Sequence, residues 1–241
     1  MKIFFNKSIL RRFLVFLIII LFISCGDNGK EKGNQETRGN LNKTPTLVDK
    51  RIFGIESGII RYNITGSQTG TKKLYFTDWG RKQAEYSNTI LRVGKYSKEA
   101  NLLKINDGDW QYIIDLDRKT GTKRKNPAIE KLIEIRDQIS YGEFGEQLVF
   151  VNGGFESGSE TVAGRKCKVY EFKKKNSKSW IWNWLTLKSE IKTGGVNISM
   201  LAVNIEENVS IPDSVFKFPP NTLITEVDLE DLRSQGNEDQ F

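Results

Sequence analysis

The chain has 241 residues, room for one ordinary domain with a tail, and its 38% hydrophobic and 28% charged content fits a folded body rather than a disordered one. It contains no histidine and two cysteines, which excludes a Ser-His-Asp triad, a Cys-His pair, His metal ligands and Cys-rich metal cages. Of the formal net charge of +7, Lys2, Lys7, Arg11 and Arg12 contribute four positives uncompensated by any acid in residues 1–24, so the basic balance does not point to nucleic acid.

These four basic residues precede Phe13 to Ile23, an unbroken run of eleven apolar residues. A membrane-spanning helix needs about 20, whereas the core of a signal peptide needs about 7–15. The run stops at Ser24-Cys25-Gly26, and Phe22-Ile23-Ser24-Cys25 resembles the lipobox of bacterial lipoproteins, with Phe22 where Leu is usual. The resemblance implies cleavage after Ser24 and a lipid (diacylglycerol, with palmitate-type acyl chains) on Cys25. The mature chain would then be held on a membrane of the bacterial envelope, with the outer membrane the first expectation. Residues 26–48 hold no aromatic residue and no apolar one before Leu41, and read as a flexible tether with a mean reach of about 25 Å. The expected organisation is therefore a signal peptide over 1–24, a lipidated Cys and tether over 25–48, a folded domain over 49–223, and a polar tail over 224–241.

From residue 51 onward the pattern has period 2. Ile60, Tyr62 and Ile64 alternate with Arg61 and Asn63. Leu74 and Phe76 flank Tyr75 before a turn at Asp78-Trp79-Gly80. Leu91 and Val93, then Leu103 and Ile105, lead to a hairpin signal at Asp107-Gly108, after which Trp110, Tyr112 and Ile114 alternate with Gln111 and Ile113. Such alternation predicts antiparallel strands with one covered face. Asp115-Leu116-Asp117-Arg118-Lys119-Thr120-Gly121 starts like a calcium loop but lacks Gly at the sixth position and Glu at the twelfth, so it reads as a hairpin turn. Lys123-Arg124-Lys125 reads as a solvated loop. Asn126 can cap and Pro127 can open a helix over 127–140, with Ile129, Leu132, Ile133 and Ile139 on one face.

Strands are expected again at Leu148 to Val151. A flexible loop is expected around Gly153, Gly154 and Gly158, followed by a strand from Lys166 to Phe172 and a solvated lysine loop at 173–175. Trp180, Trp182 and Trp184 fall at i, i+2, i+4 and would line one face of a single strand, with Ile181 and Leu185 on the other. Two uses of these indoles stay open: packing against the helix in a filled core, or lining an apolar cavity or a lipid-facing surface. A strand follows from Leu185 to Ile191. In the next, Val203 and Ile205 run out of phase with Val196, Ile198, Met200 and Ala202, which marks a β-bulge.

No phosphate-binding loop or nucleophile elbow is present, and Cys167 between two lysines reads as a buried small hydrophobe. No enzyme activity, cofactor or metal is expected.

Ile211-Pro212-Asp213-Ser214-Val215-Phe216-Lys217-Phe218-Pro219-Pro220 resembles the closing segment of the outer-membrane lipoprotein carrier and receptor (LolA/LolB-like) superfamily. Tyr112 to Gly121 looks like its central hairpin, and Gly164 to Phe172 followed by Trp180-Ile181-Trp182 looks like its later strands. The resemblance implies a mainly β (α+β) fold: a curved antiparallel half-barrel with a helix packed on its concave face over an apolar cavity. It implies a non-catalytic protein that binds lipid or the acyl chains of lipoproteins, with lipoprotein sorting as the role to expect. The soluble carrier has no anchor of its own, so Cys25 favours a receptor-like member. Trp180, Trp182 and Trp184 are the nominated ligand-binding residues, on alternation alone. The other reading is a surface or envelope interaction lipoprotein without a lipid ligand. The two part on the tryptophans: a cavity lined by them favours the first, solid packing the second.

Overall fold

In order across the sheet, the strands run β12-β6-β5-β4-β3-β2-β1-β11-β10-β9-β8-β7, so the chain builds one 12-stranded sheet with free edges at β12 and β7. The computed structural model describes residues 51–126 and 141–228. The chain divides into two units, Met1–Val48 and Asp49–Phe241, and the second holds every described residue. The strands are β1 (Gly58–Gly66), β2 (Gln68–Thr77), β3 (Lys82–Val93), β4 (Tyr96–Asp107), β5 (Trp110–Asp115), β6 (Thr120–Lys125), β7 (Gly154–Val162), β8 (Arg165–Phe172), β9 (Ser177–Trp182), β10 (Leu185–Thr193), β11 (Val196–Glu207) and β12 (Leu223–Glu226). One helix, α1 (Tyr141–Val151), is described. The fold is mostly β, a curved and unclosed sheet, antiparallel throughout except where β12 lies parallel to β6. Among the described residues no helix is long and apolar enough to cross a membrane.

Nearly all neighbours in the sheet are joined by short hairpins, and the turn chemistry explains their register. Gly108 (φ 54°) follows Asp107 between β4 and β5. The paired positive φ values of Ala163 and Gly164, and of Gly194 and Gly195, match the twist of two-residue hairpins. Between β5 and β6, Asp115 Oδ1 accepts the backbone N–H groups of Asp117 and Arg118 at 3.1 and 2.9 Å, an Asx turn in place of a calcium loop. The bulge expected in β11 falls at Val203: Arg61 pairs with Asn204 and Tyr62 with Ala202, leaving Val203 without a partner on β1.

Two apolar clusters hold the sheet, and β2 shows that they lie on opposite faces. Leu74 and Phe76 belong to the first cluster, while Tyr75 between them belongs to the second. The first gathers Ile60, Tyr62 and Ile64 of β1, Cys167 and Val169 of β8, Trp180 of β9, Leu185 and Leu187 of β10, and Met200 and Ala202 of β11, with Phe53 and Ile55 from the segment before β1. The second joins Ala84, Leu103, Ile105 and Ile114 to Phe216 from the closing segment. That segment forms a 3-10 turn at Asp213–Phe216, ties down through Tyr86 Oη–H donating to the Val215 carbonyl at 2.8 Å, and sets Phe218 5.8 Å from Tyr112.

Several expectations change. The helix expected over 127–140 lies outside the described residues. Leu148 to Val151 are not a strand but the last turns of α1, because four consecutive apolar residues fit either period and the helix preceding them continues until Gly153 (φ 73°) stops it. The expected loop at 154–158 is part of β7, a polar edge strand with little apolar alternation to betray it, bulged between Glu156 and Gly158. Lys123-Arg124-Lys125 lie in β6, not in a loop. The start of the expected tail, residues 224–226, lies in the parallel edge strand β12, which opens at Leu223.

Candidate functional site

The tryptophans do not form one row. Trp180 and Trp182 lie in β9, but Asn183 and Trp184 (φ 49° and 61°) make the turn into β10, so the strand ends before the third indole can join it. For the same reason Leu185 is not on the back of that strand. It opens β10, paired with Trp182 and buried in the first cluster. Trp180 is 3% exposed; its Nε1–H donates to Glu160 Oε2 at 2.8 Å, and Lys188 Nζ stands 3.9 Å over its ring. It is packed into the core. Trp182 is half-buried at the edge of that core, with the Arg165 guanidinium 5.3 Å from its ring. Trp184, also half-buried, stacks on Tyr170 at 6.3 Å, and α1 crosses it so closely that a Cβ on Gly145 would lie 2.3 Å from the indole. Asn after Trp182 was the one local signal for this turn, since Asn tolerates positive φ. Cys25 lies outside the described residues.

Continuing along the face of the first cluster, from β2 across β3 to β6, the side chains become polar. Cross-strand partners share a face. Glu85 is paired with Leu74 and with Lys104, and Gln83 with Phe76 and Asn106. Asn106 is paired with Gln111, and Gln111 with Arg124. Lys72, two residues before Leu74, is 6% exposed and sits 3.2 Å from Glu85 Oε2 and 4.7 Å over the Tyr62 ring. Beside this pair runs a ladder of amides. Arg124 Nε donates to Gln111 Oε1 at 2.8 Å, Gln111 Nε2 to Asn106 Oδ1 at 2.9 Å, Asn106 Nδ2 to Gln83 Oε1 at 3.5 Å, and Gln83 Nε2 to the Gly80 carbonyl. Every link points the same way, from the guanidinium to a backbone oxygen, an order in which each bond polarises the next.

The charges in this strip perturb one another. Burial works to raise the Glu85 carboxyl, but Lys72 and Lys104 outweigh it and hold the group below its usual range. Burial brings Lys104 down to about 8; Glu85 opposes that shift, and Lys72 and Arg124 add to it. Burial also lowers Arg124, and burial together with Glu85 raises the Tyr62 phenol. This strip was not anticipated from the sequence. Gln111 is 4% exposed where simple alternation placed it in solvent. The usable signal was Lys72, which shares its strand parity with Leu74 and Phe76.

Elsewhere, a pocket of about 230 Å³ opens beside the β8–β9 turn, lined by polar residues including Glu171, Lys173, Lys178 and Lys192, with no tryptophan. Cys167 is fully buried and burial raises its thiol, so it is the small core hydrophobe expected. Among the described residues no group of His, Cys, Asp and Glu is placed to hold a metal ion.

No protein-family model matches the chain, and no curated protein does. Solved structures share the outline at low identity. An uncharacterized conserved protein from Thermus thermophilus aligns with a TM-score of 0.47 and 7% identity, over 72% of this chain and 92% of that one. LprF from Mycobacterium bovis aligns with a TM-score of 0.31 and 11% identity, over 67% and 90%. PNGF-II in its C2 crystal form aligns with a TM-score of 0.40 and 12% identity, over 74% of this chain but 32% of that one. TM-scores below 0.5 leave the functional reading to the residues of this chain.

Proposed function

We propose that the protein is a non-catalytic lipoprotein, anchored to a membrane of the bacterial envelope through lipid on Cys25, that binds lipid or lipoprotein acyl chains on the face of its curved sheet that carries the first cluster. The observation that supports this most is the two-part character of that face. The apolar cluster, packed around Ile60 and Phe76 and half-buried at Trp182 and Ile198, shares that face with a strip in which Lys72, Lys104 and Arg124 outnumber Glu85, the combination an amphiphile with an anionic headgroup needs. The lipobox-like Phe22-Ile23-Ser24-Cys25 supports the anchor, and an outer-membrane role in lipoprotein sorting follows from the resemblance of the closing segment.

Trp180, sealed in the core, favours a second reading, an envelope interaction lipoprotein without a ligand. Native mass spectrometry of residues 26–241, purified without detergent from a lipid-containing host, separates the two. A discrete added mass that organic extraction removes, retained less well after Trp182→Ala, supports lipid binding. A clean apo mass that incubation with phospholipids and acylated peptides leaves unchanged overturns it in favour of the scaffold.

A further inference from the structure

The end of α1 and the start of β7 expose three large apolar side chains within six residues: Phe150 is 78% exposed, Val151 57% and Phe155 41%. They do not belong to a loose loop. Asn152 Nδ2 donates back to the Leu148 carbonyl at 2.8 Å, and the Gly153 N–H to the Phe150 carbonyl at 2.8 Å, which closes the helix end. Val149 is buried, and the chain passes so close beneath it that a Cβ on Gly154 would lie 2.7 Å from Val149 and 2.5 Å from the Phe172 ring. The corner is therefore fixed with its aromatic residues facing out.

Lysines flank it on one side. The 3-10 turn Lys173–Lys175 lies alongside: Lys173 Nζ is 5.0 Å from the Phe155 ring, and Lys175 Nζ donates to Asn152 Oδ1 at 3.0 Å. Of the acids in this region, Glu146 and Glu156 pair with Lys168 at 3.3 and 3.0 Å, and Glu171 pairs with Lys178 at 2.7 Å while also feeling the charge of Lys173. A rigid apolar prominence with an adjacent block of positive charge is complementary to an anionic bilayer: the rings enter the acyl boundary while the lysines stay at the headgroups.

We propose that this corner, Phe150, Val151 and Phe155 with Lys173, Lys174 and Lys175, is a membrane-docking surface for anionic phospholipid, which sets the orientation of the domain on the bilayer. It lies at the β7 edge of the sheet, and docking there does not depend on a lipid bound elsewhere on the domain. The test uses the full chain carrying Cys25→Ser and Val151→Cys, labelled with the polarity-sensitive dye NBD; Cys167 is fully buried and escapes labelling, so the dye sits at position 151 alone. It is mixed with vesicles of phosphatidylcholine alone or with 30% phosphatidylglycerol.

The emission is expected to rise and shift to the blue on the anionic vesicles only. Lys173→Gln, Lys174→Gln and Lys175→Gln together should weaken this docking equilibrium about a hundredfold, at roughly one kcal/mol per lysine. Water-like emission on both vesicles overturns the proposal. So does a rise that follows protein concentration rather than phosphatidylglycerol, which would assign the corner to a second copy of the chain. Flotation with both vesicle types reports binding through any other part of the chain separately, so the emission at position 151 speaks for the corner alone.

Discussion

The face that carries Ile60 and Phe76 changes character between β2 and β3. On the β1, β2 and β8–β11 side it is a packed apolar core in which Ile60, Leu187 and Cys167 are fully buried. On the β3–β6 side the same pleat carries Glu85, Lys104, Gln111 and Arg124, and their partners are each other. The two halves solve one problem differently. The apolar half removes surface from water, which is non-directional and tolerant of repacking. The polar half must satisfy each donor and acceptor, which is directional and worth little unless complete. A face that needed only stability would be apolar throughout, so the polar half is the part whose presence calls for a functional reason.

The comparison breaks most sharply at Phe76. This ring is 1% exposed and meets Phe53 edge-on at 5.1 Å. Phe76→Ala should cost about 4 kcal/mol, within the range for deleting a buried aromatic ring. Urea denaturation measures it directly. A loss under about 1 kcal/mol would mean that the apolar half is not the part of the face that holds the fold.

The apolar half was legible in the sequence and the polar half was not. Ile60, Tyr62, Leu74 and Phe76 announce their strands because alternation of apolar with polar residues is itself the signal. The bulge at Val203 was readable because it shifts the phase of that alternation. Where the buried side is polar, alternation inverts: at Gln111 the amide turns inward between Trp110 and Tyr112, and only the cross-strand partner, Arg124, reveals why. The edge strand β7 was lost for a related reason, since Gly154 to Glu160 buries little and is held by its ladder to β8. Trp184 was misplaced because three alternating indoles look like one strand, and the left-handed turn at Asn183 and Trp184 interrupts them.

The polar half should also respond to pH where the apolar half does not. Lys104 titrates near 10.5 in an unfolded chain and near 8 in the fold. Between those values the unfolded chain keeps a proton that the folded chain has released, so this group makes stability rise with pH across the window. Below pH 8 both states are protonated and the full penalty of the buried charge is present. The shift corresponds to about 3 kcal/mol. Lys104→Met should therefore have its greatest advantage over the wild type near pH 7 and lose about 3 kcal/mol of it by pH 10.5, as read by denaturation at both pH values. A difference independent of pH would show that the Lys104 ammonium is not desolvated.

The smallest expected effect addresses whether the amide ladder acts as a unit. Gln111→Leu removes the acceptor of Arg124 and the donor to Asn106, and leaves a half-buried guanidinium without its acceptor in the ladder. A cost of about 2 kcal/mol follows from the loss of the Arg124 guanidinium's hydrogen bonding, through Nε and Nη2, to the Gln111 carbonyl oxygen. That value alone does not distinguish a ladder from a single bond. Arg124→Met removes the other end of the same link, and if the two groups act only through each other, the double variant should cost clearly less than the two single variants combined, by at least about 0.5 kcal/mol. Simple additivity would mean that Gln111 and Arg124 are each held by other neighbours. The polar half would then be a set of independent contacts, and its one-way hydrogen-bond order would have no energetic content.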